Sequence, residues 1–398
     1  MKSTLDQTLL SARETAGRLG VKLDTLYAYV SRGLLHSVEV PGTRERRYDS
    51  EEVEQFRSGR GISRYGEPRA TVIPVIDSTI CTIEGGRFFY RGEDAINLAK
   101  TATLEQIAAL LWEQPEIVVP PSLRQRVARH LDRGQGEQFG LIERCQTCLA
   151  EASAADFAAL DLSRNGITRT GSLILSLLAG SVAETSGAEL PLHQRLAAAW
   201  GRDGAETDLL RRCLVLLADH ELNTSAFVAR CIASTRATPY AVVTGALAAL
   251  SGRRHGGSST RAEAMFRALT EAADPLPAIA ARLARDETLP GMGQPLYPDG
   301  DPRAVAILAA THNAVPERAA WIGAVSDAAI RLTGQLPNVD FALGIMATVL
   351  RLPPGASLAI FVVARAVGWI AHAIEQYDSE ALIRPRARYT GRRPVSAE

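Results

Sequence analysis

The stretch Ala218-Asp219-His220-Glu221-Leu222-Asn223-Thr224-Ser225 decides how this chain is read. It follows the apolar run Leu214-Val215-Leu216-Leu217-Ala218, where a buried helix would normally continue apolar, and instead gathers Asp219, His220, Glu221 and Asn223. A histidine ending such a run is by default a satisfied core residue. The polar cluster around it favours a site, because buried polar groups must bond one another or a ligand. Three later segments set further polar residues beside glycine or proline: His255-Gly256-Gly257, then Gly291-Met292-Gly293-Gln294-Pro295-Leu296-Tyr297 running into Asp301-Pro302-Arg303, then Pro337-Asn338-Val339-Asp340-Phe341. Glycine lets backbone and ligand approach closely, although any tight turn reads the same way.

At 398 residues the chain is long enough for roughly two or three domains. Hydrophobic residues at 46% with few aromatics fit a mostly helical protein. Lys plus Arg equals Asp plus Glu, 44 each, so no global field recruits nucleic acid or membrane, and any anion site is local. The five cysteines are odd in number and irregularly spaced, which points to a reducing compartment. Cys145-Gln146-Thr147-Cys148 has metal or redox spacing but no second pair and no nearby histidine. It reads as two small apolar residues on one helix, and no metal is expected. The N-terminus MKSTLDQTLL lacks a secretory pattern, and the apolar segments 171–183 and 358–374 are too short or carry Arg365 and His372. A cytoplasmic protein without a membrane partner is expected.

Near the N-terminus, Ser11-Ala12-Arg13-Glu14 is a capping box that opens a short helix ending at Gly20. A second helix runs from about Leu23 to Arg32, where Gly33 supplies a left-handed end, and Leu19, Val21, Leu26 and Val30 share a core. Residues 37–40, the turn Pro41-Gly42-Thr43 and residues 44–48 read as a hairpin, and Asp49 caps a third helix through Phe56. This unit resembles a winged helix-turn-helix of the MerR or excisionase type. The resemblance implies a second helix in a major groove, with Lys22, Tyr27 and Arg32 available, and Arg44, Arg46 and Arg47 on phosphate. Residues 1–60 carry a net charge of only about +1, low for sustained phosphate binding. Possible DNA binding and a role as a protein-contact module both stand. Residues 57–70 are rich in Gly, Arg and Ser and read as a linker.

Beyond it, residues 78–83, Gly85-Gly86 and residues 87–91 form a second hairpin signal, and Tyr90-Arg91-Gly92-Glu93-Asp94 leads into a helix. The remainder carries helical periodicity. Phe157, Leu160, Leu162, Leu173, Leu175, Leu177 and Leu178 read as core or dimer-interface residues, and His193 as structural. In order and spacing, these segments resemble the citrate synthase family from about residue 75 to 391. The resemblance implies a mostly α-helical homodimer of the citrate synthase fold. Residues 1–60 would be the winged helix-turn-helix, 61–222 and 334–398 the large domain, and 223–333 a small domain that closes over the substrates. The implied reaction condenses acetyl-CoA with oxaloacetate and hydrolyses the citryl thioester to citrate and CoA. No cofactor is tightly bound, and acetyl-CoA is a substrate.

That reaction needs a base, hydrogen-bond donors for the enol and the ketone, and cations for two carboxylates. The resemblance makes Asp340 the base. Its neighbours Val339 and Phe341 would desolvate it and raise its pKa, while the residues alone also fit a turn or N-cap aspartate. His255 matches the histidine that bonds the thioester oxygen, and His220 one that contacts oxaloacetate. Arg303, Arg365 and Arg384 match the arginines that grip the carboxylates, Arg384 from the partner subunit. A planar guanidinium suits a carboxylate, and Arg365 inside an apolar helix is either a ligand for one or half of a buried ion pair. Gly291, Met292, Gly293 and Asn338 match the CoA-contacting loops.

Five positions depart from the family. Gln294 stands where a histidine donates to the ketone oxygen, and losing one such donor typically costs about 2.7–4 kcal/mol, of which glutamine retains part. Pro295 and Pro298 replace basic residues near the CoA phosphates, and Ser258-Ser259 replaces small and amide residues after His255-Gly256-Gly257. Two alternatives follow: a metabolite-sensing DNA-binding regulator with little or no turnover, and a 2-methylcitrate synthase using propionyl-CoA.

Overall fold

The computed structural model describes residues 9–31, 35, 37–39, 46–50, 53–54, 76–117, 139–183, 190–270, 274–379, 381–385, 387 and 391. The chain divides into two units, Met1–Ile76 and Asp77–Glu398. The boundary expected at residue 60 and the linker 57–70 lie outside the described residues.

In the first unit, Ser11 caps α1 (Ala12–Leu19) with both halves of the capping box formed, and Gly20 ends it at φ 68°. Helix α2 spans Leu23–Ser31; the end expected at Arg32 and Gly33, the turn 41–43 and Arg44 lie outside the described residues. Strands β2 (Val38–Glu39) and β3 (Arg46–Asp49) pair antiparallel as expected, and β3 also pairs with β1 (Leu9–Ser11). β1 was not expected, since three residues are too few to show an alternating pattern. Leu26, Leu35, Tyr48 and Val53 form the core, with Leu19, Val21 and Val30 packed on it. Lys22, Tyr27 and Arg46 are exposed.

The second unit opens on β4 (Cys81–Glu84), β5 (Arg87–Tyr90) and β6 (Glu93–Asp94), an antiparallel sheet in chain order. Asp94 caps α3 (Ala95–Thr101) by accepting the Asn97 amide at 2.8 Å. There follow α4 (Leu104–Trp112), α5 (Leu141–Ala154), a 3-10 turn (Phe157–Leu160), α6 (Arg164–Ala183), α7 (Leu192–Ala199), α8 (Gly204–Leu217), α9 (Thr224–Ala233), α10 (Pro239–Leu250) and α11 (Gly257–Leu269). Then come α12 (Pro275–Ala284), α13 (Pro302–Ala314), a 3-10 turn (Pro316–Arg318), α14 (Ala319–Thr333), α15 (Val339–Val349) and α16 (Ala356–Asp378). The mostly α class is therefore as expected.

Helix α16 is apolar on every side and packs against α4, α6, α8, α9, α10, α11 and α15. An all-round apolar helix is stable only when surrounded. The expectation that segments 171–183 and 358–374 fall short of a membrane span needs correcting. Polar residues extend them into helices of 20 and 23 residues that pass on length and composition. In the fold, 83% and 94% of their most apolar windows are buried, so here both serve as core. Leu173, Leu175, Leu177 and Leu178 are core residues, whereas Phe157 and Leu160 are 82% and 71% exposed, which excludes the core reading for those two. Cys145 and Cys148 are buried on α5, and burial raises both thiols, Cys145 to about 12. They are small apolar residues at neutral pH.

Candidate active site

Where α8 ends, the loop 218–223 is held from below. The Tyr90 hydroxyl lies 2.9 Å from the Val215 carbonyl oxygen and 3.2 Å from the backbone N and O of Asp219. The Gly368 amide donates to the Ala218 carbonyl at 3.1 Å. A Cβ at residue 368 would sit 2.5 Å from that oxygen, so only glycine permits the approach. Arg230 Nε donates to His372 Nδ1 at 3.1 Å, and a guanidinium cannot accept, so the His372 proton is on Nε2 and is donated to Asp219 Oδ2 at 3.2 Å. Arg230 also pairs with Glu375, which accepts the Thr79 amide and hydroxyl at 2.7 and 2.8 Å.

His220 Nε2 stands 2.8 Å from the Tyr297 hydroxyl, and its ring packs edge-on to Phe88. Burial, with Arg303 and Arg365 nearby, pushes its pKa well below the ordinary range, so it is neutral. Asp301 accepts the Arg303 amide at 3.0 Å to cap α13, and also takes that residue's guanidinium at 3.0 and 2.8 Å. Pro302 at the first helical position needs no donor. Arg365 Nε donates to the Leu217 carbonyl at 2.8 Å and its guanidinium lies 4.9 Å from the Phe361 ring centroid. No carboxylate lies within ion-pair distance among the described residues, and the buried Nη2 has no partner. The ion-pair reading of Arg365 therefore fails.

His255 faces Ser225, with Nε2 2.9 Å from the hydroxyl. That hydroxyl also lies 2.8 Å from Asn223 Oδ1 and receives the Trp369 Nε1 proton at 3.1 Å. Asn223 Oδ1 is already the acceptor for the Ser225 and Ala226 amides, so the single serine proton goes to it. Ser225 Oγ can then only accept from His255, which fixes the proton on Nε2 and leaves Nδ1 bare. Burial and Arg365 lower the His255 pKa to about 4, so a second proton is scarce at neutral pH.

Asn338, not Asp340, caps α15, accepting the Asp340 amide at 2.9 Å. This excludes the N-cap reading of Asp340, which lies in the first turn. Burial raises its pKa, against hydrogen bonding from Ser259 and the charge of Arg303, so it is a stronger base than an exposed carboxylate. Asn338 also zips two loops together: its amide donates to the Gly291 carbonyl and Nδ2 to the Gly293 carbonyl, each at 2.8 Å. Gly291 is at φ 86°, and a Cβ there would lie 2.6 Å from the Phe341 nitrogen. Met292 bridges to Pro337. Gln294 is half-buried beside Gly293, and its side chain makes no hydrogen bond among the described residues. It lines a cavity of about 590 Å³ with Met292, Tyr297, Asp301 and Leu336.

The fold thus gathers most of the expected residues. Arg365 acts on both His220 and His255, and Arg303 on His220 and Asp340. Gly291, Met292, Gly293, Gln294 and Asn338 form the adjoining rim. Arg384 is not brought in: it is exposed and makes no hydrogen bond or ion pair within the chain among the described residues. Sequence reasoning assigned no role to Tyr297, Ser225, Asp301 or His372. His372, charged-capable within an apolar helix like Arg365, carried the same signal.

Residues 70–386 match the family described as citrate synthase, C-terminal domain, and residues 10–60 match the MerR HTH family of regulatory proteins. The chain is 30% identical over 334 residues to a 2-methylcitrate synthase of Mycobacterium tuberculosis, covering 76% of this chain and 84% of that one. It is 30% identical over 359 residues to a citrate synthase of Haloferax volcanii, covering 81% and 94%. Among solved structures, the citrate synthase of Thermotoga maritima aligns with a TM-score of 0.65 at 25% identity, covering 82% of this chain and 96% of that one.

Proposed function

Because this chain belongs to the citrate synthase family, we propose that it condenses an acyl-CoA with oxaloacetate around His220, His255, Arg303, Arg365 and Asp340. One observation carries the reading. Arg365 is 1% exposed, carries a positive charge, and has a buried nitrogen with no partner among the described residues. A buried donor left unpaired is costly, and a substrate carboxylate would complete it with the two parallel bonds a guanidinium favours. Arg303 and the neutral His220 would complete the grip on oxaloacetate.

Asp340 removes the α-proton of the thioester, its raised pKa bringing it closer to the task. The enol oxygen needs a donor, and His255 is the candidate. In the described arrangement its Nε2 proton is committed to Ser225, so donation requires the ring to leave Ser225 or gain a proton at Nδ1. We assign that change to binding of the thioester, because closure of a small domain, residues 223–333, over a large domain of residues 61–222 and 334–398 would move His255 and Ser225 together. Closure would exclude water until condensation is complete. Water then hydrolyses the product thioester to release CoA. Gln294 would donate to the ketone oxygen but cannot carry charge, so the rate would be lower than with histidine. Arg384 would reach the pocket of a second subunit in a homodimer. Gly291, Met292, Gly293 and Asn338 would contact CoA through backbone groups, since the Asn338 side chain is engaged.

The second reading is a ligand-sensing regulator, favoured by Gln294 and by the helix-turn-helix match. It would bind oxaloacetate and CoA without turnover and couple them to DNA affinity. A steady-state assay of CoA release with oxaloacetate and either acetyl-CoA or propionyl-CoA decides between them and identifies the acyl group. Release that depends on oxaloacetate and is abolished by Asp340→Asn supports the enzyme. Ligand binding without release supports the sensor.

A further inference from the structure

Helices α11 and α15 run side by side in the same direction, and their register sets a contact on Asp340. Phe266 packs on Phe341 with ring centroids 4.7 Å apart. One turn along α15 from Asp340, Gly344 has no room for a side chain: a Cβ would lie 3.0 Å from the Ala262 carbonyl carbon and the Glu263 nitrogen, and 2.9 Å from the Phe266 ring. That close approach brings the first turn of α11 onto the first turn of α15, where the Ser259 hydroxyl donates to Asp340 Oδ1. Ser259 is fully buried and carries one proton, so the bond commits it to the carboxylate. Glu263, the next acid along α11, is turned away to Arg267 and the amides of Gly355 and Ser357. The charged groups acting on Asp340 are Arg303 and Asp301, both at the head of α13.

We propose that Ser259 is a positioning residue for the Asp340 base, holding its carboxylate ionised and oriented by donating a hydroxyl proton to Oδ1. The inference rests on the reading of Asp340 as the base. A carboxylate desolvated by burial between Val339 and Phe341 would otherwise favour its neutral, proton-bearing form, which cannot accept the α-proton. The hydroxyl opposes that, because a hydrogen bond to the charged form stabilises it. Removing the hydroxyl raises the pKa of Asp340, so a smaller fraction is ionised at acidic pH, while the fraction that remains is a stronger base.

The test compares wild type, Ser259→Ala and Ser259→Cys. Alanine is favourable within a helix, and cysteine keeps the size with a weaker donor. Two readouts are taken: the pH dependence of kcat/KM for CoA release, and the titration of the Asp340 carboxyl by 13C NMR, assigned by its loss in Asp340→Asn. In Ser259→Ala both midpoints should move up by about one pH unit, the size expected for one lost bond to a charged group, with a smaller shift for Ser259→Cys. A carboxyl titration that stays put or moves down in Ser259→Ala overturns the proposal. If the carboxyl midpoint moves but the acid limb of kcat/KM does not, Ser259 is not acting through a catalytic base and the proposal also fails. Wild type without CoA release at any pH overturns the enzymatic reading instead, and the proposal with it only as to catalysis, because the NMR shift still reports whether Ser259 holds the carboxylate ionised.

Discussion

His372 donates its Nε2 proton to Asp219 Oδ2 across 3.2 Å, with both side chains buried and Arg230 fixing the tautomer from the other side. Asp219 directly precedes His220, so this bond anchors the loop that carries a substrate-binding candidate to the central helix α16. Asp219 Oδ1 has no partner among the described residues, which makes the single bond to Oδ2 the more important. His372→Leu is expected to destabilise the fold by about 1.5–3 kcal/mol, the usual worth of a hydrogen bond to a charged group. His372→Gln, which keeps a donor, should recover part of it. Chemical denaturation of the three proteins checks this, and an unchanged midpoint in His372→Leu would show that the bond contributes nothing.

Gln294→His tests whether the glutamine is a catalytic handicap. An imidazole supports developing alkoxide charge better than an amide, so kcat with oxaloacetate should rise. A gain of about tenfold corresponds to recovering about 1.4 kcal/mol. The side chain makes no hydrogen bond among the described residues, so the substitution breaks none of those described. Robust wild-type turnover that histidine does not improve would remove Gln294 as an explanation for slow catalysis.

Arg384 is exposed in the single chain, as a residue serving a neighbouring subunit would be. If the proposed homodimer forms, Arg384→Ala and Asp340→Asn proteins should each lack activity, whereas mixed subunits should regain one working site per heterodimer. Activity is measured after subunit exchange has been verified by mass spectrometry. No recovery would mean that Arg384 serves its own subunit or none.

The histidines predict how stability depends on pH. His255 has a folded pKa of about 4 against an ordinary 6.5. Between those values the unfolded chain holds a proton that the folded chain does not, so acidification over that window favours unfolding. His220 acts in the same direction. His255→Gln should therefore lose less stability than wild type as pH falls from 6.5 to about 4. Denaturation midpoints measured across that range give the comparison, and parallel curves would show that His255 is not held neutral.

Much of the architecture is legible in the sequence. The Ser11-Glu14 capping box, the Gly85-Gly86 hairpin and the helix that follows Asp94 each depend on residues a few positions apart, so local chemistry was enough to place them. The four-segment pattern around His220, His255, Arg303 and Asp340 likewise pointed to acyl transfer, because in order and spacing it resembles the citrate synthase family. What the sequence could not supply were relations between residues more than a hundred positions apart. Leu217 to Arg365, Asp219 to His372 and Ser225 to Trp369 meet only because α16 threads the middle of the fold. Those contacts decide whether Arg365 is paired, which nitrogen of His255 carries the proton, and how firmly the His220 loop is held. The chain alone determined which side chains were available; the packing of α16 and the close approach of α11 and α15 decided which of their protons and lone pairs remain free, because hydrogen-bond capacity is consumed by whichever partners the tertiary structure brings within reach.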